Sequence, residues 1–332
     1  MEYNDIIEEM PFVPDDSLAI VKTNIESSTT AFIEANTIDV SLTEIKEEHI
    51  IPVFAKTNEP LISHSDFIET TYHMASGFFG NEQIHQPNIR VSHVVKGRTP
   101  DAKYKAAAEL KEWEKTLYYE RMMFVIDIPT IQNSIDGNNM CLTIGGVKAY
   151  NKDNLYSRNY SDQHFKIFIG FKVSVCTNLC VWTDGINHDV KVTDIDQLKV
   201  AIKIMFEKYN LNYHLYHLNK LTEYGLSEKE FAQLIGKCRM YNFLPNQMKQ
   251  NIPHILFGDQ QMNMVVRDYY KDISFSKDSN GNINLWKLYN LFTSSNKSSY
   301  IDTFLDRGYN AFQLVEQVRK SLENKQDCWY LN

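Results

Sequence analysis

Cysteine is scarce in this 332-residue chain, and its five cysteines are an odd number. Unpaired thiols argue against a disulfide scaffold and are typical of a reducing cytoplasm. No apolar run approaches the roughly 18 residues of a membrane span, because Lys166 and Lys172 interrupt the most apolar stretch. The acidic N-terminus, MEYNDIIEEM, is unlike a secretory or transit signal. The sequence therefore predicts a cytoplasmic protein without membrane contact.

Positive charge is nearly absent from the first part of the chain. Residues 1–89 contain 3 lysines and arginines against 16 aspartates and glutamates, whereas residues 90–172 contain 13 against 9. This asymmetry predicts an acidic, partly flexible arm over residues 1–55. It also leaves a mildly basic body, and the arm could mask or compete for a surface that binds polyanions. The alternative is a solvated basic surface that only balances the arm.

Catalytic and cofactor motifs are missing. The chain has no G-x-S-x-G, Walker, dinucleotide or metalloprotease motif. Cys176 and Cys180 have a spacing that zinc allows, but a second ligand pair is absent, so we interpret them as core thiols. We interpret His214 and His217 as packing residues. The sequence predicts no catalytic residue, metal or cofactor, and it favours a non-enzymatic protein; an enzyme with an unrecognised site is an alternative.

Alternating apolar residues predict several strands. They cover residues 87–96, 122–128 and 140–144, with turn residues at 136–139. The clearest alternation runs over residues 165–182. We interpret it as one long bent strand, or as two strands joined at a bulge near Gly170. Strands joined by short turns predict an antiparallel sheet with one face on a core.

Helical spacing predicts the remaining elements. Helices are expected over residues 65–79, over residues 101–120 with Trp113 on a buried stripe, and repeatedly after Thr193. The predicted fold class is α+β: a curved, mainly antiparallel sheet with packed helices and a helical C-terminal half. We expect the arm at 1–55, a sheet domain at 56–190, and a helical region at 191–332 that is packed on, or continuous with, the sheet domain.

Cations and aromatic rings are interleaved in the middle of the chain. Lysine and arginine can follow a phosphate backbone, and rings offer stacking platforms for exposed bases. The nucleic-acid-binding candidates are Arg90, Lys96, Arg98, Lys103, Lys148, Tyr150, Lys152, Tyr156 and Arg158. The sequence thus favours a partner that is nucleic acid, with single-stranded DNA foremost. A protein partner contacted by the acidic arm, and contact between copies in a homo-oligomer, are the alternatives.

Several separate stretches carry a family resemblance. They are IRVSHVVKGR at 89–98, EKTLYYERMMF at 114–124, GGVKAYNKDNL at 145–155, FIGFKVSVCTNLCVWTDG at 168–185 and LWKLYNLFTSSNKSSYIDTFLDR at 285–307. Together they resemble an uncharacterised domain family of Bacteroidetes conjugative transposons and plasmids, within the broader phage- and plasmid-like proteins of unknown function. The resemblance implies residence on mobile DNA and supplies no catalytic residue. A protein-interaction role in anti-defence or element maintenance is therefore an alternative function.

A second resemblance concerns the outline of the fold alone. A curved antiparallel sheet with supporting helices is similar to the phage single-strand annealing proteins. Those proteins hold single strands in a basic groove, often as oligomers, and use no catalytic residue. The resemblance implies single-stranded DNA binding or annealing as the expected activity.

Overall fold

The structure is a computed structural model, and it describes residues 31–47, 61–92, 94–98, 102, 104–153 and 162–332. The strands are β1 (Ile38–Val40), β2 (Asn88–Val91), β3 (Val94–Arg98), β4 (Lys115–Tyr119), β5 (Arg121–Ile135), β6 (Asn138–Ala149), β7 (Gln163–Val173), β8 (Leu179–Val192), β9 (Gly225–Leu226) and β10 (Ile283–Asn284). The helices are α1 (Leu42–Glu47), α2 (His64–Phe79), α3 (Ile195–Lys208), α4 (Leu211–Lys220), α5 (Glu228–Phe243), α6 (Asn246–Lys249), α7 (Asp259–Lys271), α8 (Leu285–Asn296) and α9 (Ile301–Asn324).

A six-stranded antiparallel sheet, here the main sheet, organises the fold, with the order β1-β2-β5-β6-β7-β8. The predicted turn between β5 and β6 is present, and Asp136 (φ 49°) and Gly137 (φ 74°) both have positive φ. Such a pair is what a tight hairpin turn requires. Helices occupy most of the chain after β8. The α+β class, the antiparallel sheet and the helical C-terminal half are therefore confirmed.

Residues 165–182 form a hairpin, so the prediction of one long strand is wrong. β7 ends at Val173 and β8 begins at Leu179. The backbone N–H of Thr177 donates to the carbonyl of Val173 at 2.9 Å, and Thr177 has a φ of 56°. The alternation of apolar residues that suggested one strand continues through the turn by chance. The irregular pairing expected near Gly170 is confirmed, because the β7–β8 register shifts between Phe168 and Gly170.

Tertiary contacts explain why this turn needs no glycine or proline. The Lys297 ammonium, at the end of α8, donates to the carbonyl of Cys176. The Thr177 hydroxyl donates to the carbonyl of Ala31 at 3.1 Å, and the Asn178 amide donates to the carbonyl of Asn290 at 3.1 Å. These contacts hold Thr177 in a backbone conformation that a β-branched residue rarely adopts. The turn therefore depends on segments distant in sequence.

The helix predicted over residues 101–120 is also wrong. Short 3-10 helices occupy Ala107–Glu109 and Glu112–Glu114, and Lys115–Tyr119 is strand β4. Threonine and tyrosine favour strands, and pairing with β3 overrides the helical spacing. Trp113, expected on a buried stripe, is 72% exposed.

The helices expected over residues 65–79 and after Thr193 are present, and three of them begin at capping side chains. The hydroxyl of Ser63 accepts from the backbone N–H of Asp66 and completes a capping box at α2. Asp194 caps α3, and Ser227 begins the capping box of α5. Each cap satisfies backbone N–H groups that the first helical turn leaves unpaired. Among the described residues, no helix combines the length and apolarity needed to cross a membrane.

The main sheet buries apolar residues on both faces. Its first face packs against α2 and α3, and this core includes Phe124, Ile144 and Phe165. Its second face meets the start of α9. That second core consists of Phe32, Ile33, Met123, Val125, Val147, Phe168, Leu179, Val181, Ile301, Phe304 and Leu305. The sheet is thus sandwiched between helices.

Gly146 brings α2 close to the first face. Phe67 of α2 packs edge-on against Phe124 and Phe165, with ring centroids 5.1 and 4.8 Å apart. A Cβ at Gly146 would lie 2.3 Å from the Phe67 ring. Glycine at this position therefore lets α2 approach the sheet. Pairing is regular at Gly145 and Gly146, and the β5–β6 register shifts between Ile128 and Gln132.

Candidate nucleic-acid interface

One hairpin of the main sheet runs beyond the sheet as a separate ribbon. β2 and β5 pair up to Val91↔Met122, and β3 and β4 resume the same register from Val94↔Tyr119 to Arg98↔Lys115. The β3–β4 pair is a two-stranded sheet of its own. We call residues 94–98 and 104–119 the basic ribbon. Two-stranded ribbons of this kind can enter a nucleic-acid groove.

The end of the basic ribbon exposes aromatic rings. Trp113 is 72% exposed and Tyr104 is 80% exposed. The Lys111 ammonium lies 4.9 Å from the centroid of the Trp113 ring. An exposed ring beside a cation is a stacking platform for an unpaired base.

Lysines of the ribbon pair with carboxylates at its surface. The ammonium of Lys105 donates to Glu114, and that of Lys115 donates to Glu112. The hydrogen bond from Lys105 lowers the pKa of Glu114 below its usual range. The Glu112 side chain is exposed, and exposed pairs contribute little to stability, so a phosphate can replace its carboxylate at Lys115. Arg98 lies opposite Lys115 in the register.

The structure places the predicted cations in different surroundings. Lys96 and Arg98 lie on β3, and Lys152 is exposed at the end of the 3-10 helix Tyr150–Lys152. The Arg90 guanidinium donates to the carbonyl and the hydroxyl of Thr37, both at 3.0 Å, which ties it to the start of β1. The candidates that lie outside the described residues are Lys103, Tyr156 and Arg158.

Lys148 and Tyr150 are buried, and this corrects their expected exposure. Lys148 is 0% exposed and Tyr150 is 2% exposed. The Lys148 ammonium lies 3.0 Å from the Asp153 carboxylate and 3.9 Å from the centroid of the Phe165 ring. Neither side chain can reach a phosphate backbone or a base from this position. The sequence gives no sign of it, because a lysine near the end of a strand is usually solvated.

The buried polar residues around Lys148 form one network, which we call the Lys148 cluster. It contains His64, Lys148, Tyr150, Asp153 and Gln163. The backbone N–H of His64 donates to the Tyr150 hydroxyl at 3.2 Å, and the Asp153 carboxylate accepts from the backbone N–H of His164 at 2.8 Å. Burial lowers the pKa of Lys148 from 10.5 to about 8. Lys148 therefore depends on Asp153 to remain charged.

Acid is expected to destabilise the fold through His64 and His214. Burial lowers the pKa of each to about 3, whereas an unfolded histidine titrates near 6.5. As pH falls below that value, the unfolded state binds protons that the folded state does not, so the free energy of unfolding decreases. The expected slope is about 1.4 kcal/mol per pH unit for each histidine. Urea unfolding between about pH 7 and pH 5 measures it.

His64→Gln separates this effect from the titration of carboxylates. The Nε2 of His64 donates to the carbonyl of Tyr119 at 2.8 Å, and the glutamine amide retains an N–H donor. In the variant, the free energy of unfolding should fall less steeply with acid, by about 1.4 kcal/mol per pH unit. An unchanged slope would show that His64 is not a titrating group of the unfolding reaction.

The cysteines and histidines considered as metal ligands lie in packed positions. Cys180 is fully buried on the first face, and burial raises the pKa of its thiol. Cys176 lies in the β7–β8 turn and is half-buried. His217 stacks on Trp182 at 4.2 Å, and His214 contacts the Tyr209 hydroxyl at 2.7 Å. Among the residues that the structure describes, no group of three or more His, Cys, Asp and Glu is placed to hold a metal ion.

The fold and the site define an α+β protein whose antiparallel sheet extends one hairpin into a basic ribbon. The model of a family described as a domain of unknown function, B. theta gene description (DUF3871), matches residues 15–331. The chain therefore belongs to this family, which confirms the resemblance to an uncharacterised domain family. Searches of curated proteins and of solved structures find no match.

Proposed function

We propose that this protein is a non-enzymatic, mobile-element-encoded nucleic-acid-binding protein, and that its basic ribbon holds single-stranded DNA. The observation that carries the proposal is the exposed Trp113 ring beside Lys111, at the end of a ribbon outside the main sheet. Stacking on such a ring tolerates any base, and lysines supply contacts to phosphate. The resemblance to proteins of conjugative transposons and plasmids supports the mobile-element part.

Cations along the ribbon supply the phosphate contacts. Lys96, Arg98 and Lys103 precede the exposed rings in the chain, and Lys115 lies opposite Arg98. A bound phosphate can replace the carboxylate of Glu112, whose exposed pair with Lys115 is weak.

The acidic arm competes with DNA for these cations. Residues 1–30 contain 7 aspartates and glutamates against 1 lysine, and polyanionic segments are attracted to the same surface as nucleic acid. Phe32 and Ile33 belong to the second core. A deletion must therefore stop at residue 30 to preserve the fold. We expect the chain without residues 1–30 to bind single-stranded DNA more tightly than the full chain.

Fluorescence anisotropy with a labelled single strand tests the proposal. Trp113→Ala should weaken binding about 5- to 150-fold, which corresponds to the loss of one stacked base. Phe243→Ala is the matched control, because Phe243 is an aromatic residue 79% exposed on α5, outside the ribbon. The control should bind like the wild type.

The salt dependence of binding separates phosphate contacts from stacking. Replacing both Lys96 and Arg98 by glutamine should reduce the slope of log affinity against log salt by about 1.4. Trp113→Ala should leave that slope unchanged. The proposal fails if neither the full chain nor the chain without residues 1–30 binds at low salt, or if Trp113→Ala and Phe243→Ala behave alike.

A further inference from the structure

One edge of β8 has no strand beside it within the described part of the chain. β8 is the last strand of the main sheet, and its other edge pairs with β7 from Gln163↔Val192 to Phe165↔Val190. The N–H and C=O groups of an unpaired edge are a template for another strand. Residues 187–192 can therefore accept a strand from a partner.

An apolar groove lies beside this edge, between β8 and α3, with a volume of about 510 Å³. Val190 and Val192 of β8 and Val200, Ala201 and Ile204 of α3 line it. Val200 is 56% exposed and Ile204 is 43% exposed, although α3 packs its opposite side on the sheet. Exposed aliphatic side chains next to an open sheet edge indicate a surface that another element covers.

The charges on β8 are self-complementary. Asp189 and Lys191 flank Val190 and form an ion pair of 2.8 Å within the strand. When two copies of β8 pair antiparallel about a two-fold axis at Val190, Asp189 of each copy lies opposite Lys191 of the other. Two cross-strand pairs of opposite charge result, and such pairs stabilise a sheet. A one-residue slip removes both pairs, so the charges specify this register.

The same axis brings the exposed residues of α3 together. A two-fold axis through paired strands is perpendicular to the sheet, so both copies of α3 lie on the same face of the joined sheet. They flank the seam between the two β8 strands. Val200 and Ile204 of one copy then face those of the other across the groove. One arrangement accounts for the open edge, the apolar groove and the charge order.

We propose that a second copy of this chain docks on the β8 edge, forming a homodimer in which one sheet continues through both protomers. Val190 lies on the two-fold axis, Asp189 and Lys191 set the register, and Val200 and Ile204 close the groove. The proposal is independent of DNA binding, because β8 lies at the opposite side of the main sheet from β1 and β2.

Sedimentation equilibrium of the full chain, from nanomolar to high micromolar concentration, tests the dimer. Asp189→Lys puts lysine opposite lysine in both cross-strand pairs of the dimer. Lys191→Asp puts aspartate opposite aspartate in the same two pairs. Each single variant should weaken dimerisation at least about tenfold. The double variant D189K/K191D restores both opposite-charge pairs and should recover the dimer. Arg239→Asp changes an exposed charge on α5, outside the interface, and should sediment with the same dimer mass as the wild type.

Ile204→Asp tests the groove separately. Because Ile204 is 43% exposed, the variant should keep the thermal stability of a monomer while it prevents dimerisation. The proposal is overturned if the wild type is monomeric at every concentration, or if a dimer survives both Asp189→Lys and Ile204→Asp. In a monomer, hydrogen-exchange protection of those backbone N–H groups of residues 187–192 that point away from β7 would also overturn it, because another segment of the same chain would then occupy the edge.

Discussion

Gly146→Ala is expected to destabilise the protein by about 3 kcal/mol or more, at or beyond the upper end of the usual range for overpacked cores. The added Cβ would lie 2.3 Å from the Phe67 ring and 2.8 Å from the carbonyl oxygen of Lys166. Phe67 cannot move aside freely, because the rings of Phe124 and Phe165 surround it. Urea unfolding followed by far-UV circular dichroism measures the loss.

Gly77→Ala is the matched control for this prediction. Gly77 lies within α2, and a Cβ there would meet no atom within 4 Å. Alanine should therefore stabilise the protein by about 0.5–1 kcal/mol through helix propensity and a less flexible unfolded chain. The double variant Gly146→Ala/Phe67→Leu should lose less stability than the sum of the losses of the two single variants. A Gly146→Ala variant as stable as the wild type would contradict the packing described here.

Asp153→Asn is expected to destabilise the protein by about 1–2 kcal/mol near pH 7, because Lys148, whose folded pKa is about 8, loses its charged partner and must then give up its proton. The asparagine oxygen can still accept the backbone N–H of His164, so the change removes mainly the negative charge. Lys148 is 0% exposed and cannot turn to solvent. Chemical unfolding near pH 7 measures the effect.

A double variant and a pH series distinguish this charge effect from general damage. Lys148→Met with Asp153→Asn removes both charges and should recover most of the lost stability. In the wild type, the folded pKa of Lys148 is about 8, below its usual 10.5. The unfolded state therefore binds more protons between these values, and the contribution of Lys148 to stability rises with pH across that window. In Asp153→Asn the folded pKa of Lys148 falls further, so the deficit should shrink as pH rises from about 6 to about 8, and a constant deficit over that range would contradict this account.

Local signals in the sequence predict the elements that depend on neighbouring residues. Ser63, Asp194 and Ser227 cap helices through side chains that reach only the next turn. Asp136 and Gly137 form a turn whose positive φ angles need no distant support. These features follow from steric and hydrogen-bonding preferences within a few residues. The fold class and most of the helices could therefore be predicted.

Elements that depend on distant segments could not be predicted. Contacts from Lys297 and Ala31 hold the β7–β8 turn, and nothing near Thr177 indicates a change of direction. Pairing with β3 makes a strand of Lys115–Tyr119, where spacing alone predicts a helix. In both cases tertiary pairing outweighs a local periodic pattern.

The candidate site was predicted in part for the same reason. Lys96 and Arg98 do lie on a ribbon outside the main sheet, but Lys148 is buried beside Asp153. Charge is visible in a sequence, whereas burial depends on what packs above a residue. Trp113 was missed because its helical spacing suggested a core position. Its neighbours Lys111 and Lys115 were the available signal of a surface ring.

The order of the strands has a consequence for synthesis on the ribosome. β5 to β8 pair in the order in which they are translated, so the central sheet can form from local contacts. The second core is different, because Ile301, Phe304 and Leu305 of α9 belong to it. Until these residues emerge, Met123, Val125 and Val147 lack their cover. The nascent chain therefore carries an apolar sheet face through most of its translation, a state in which chains are prone to aggregate.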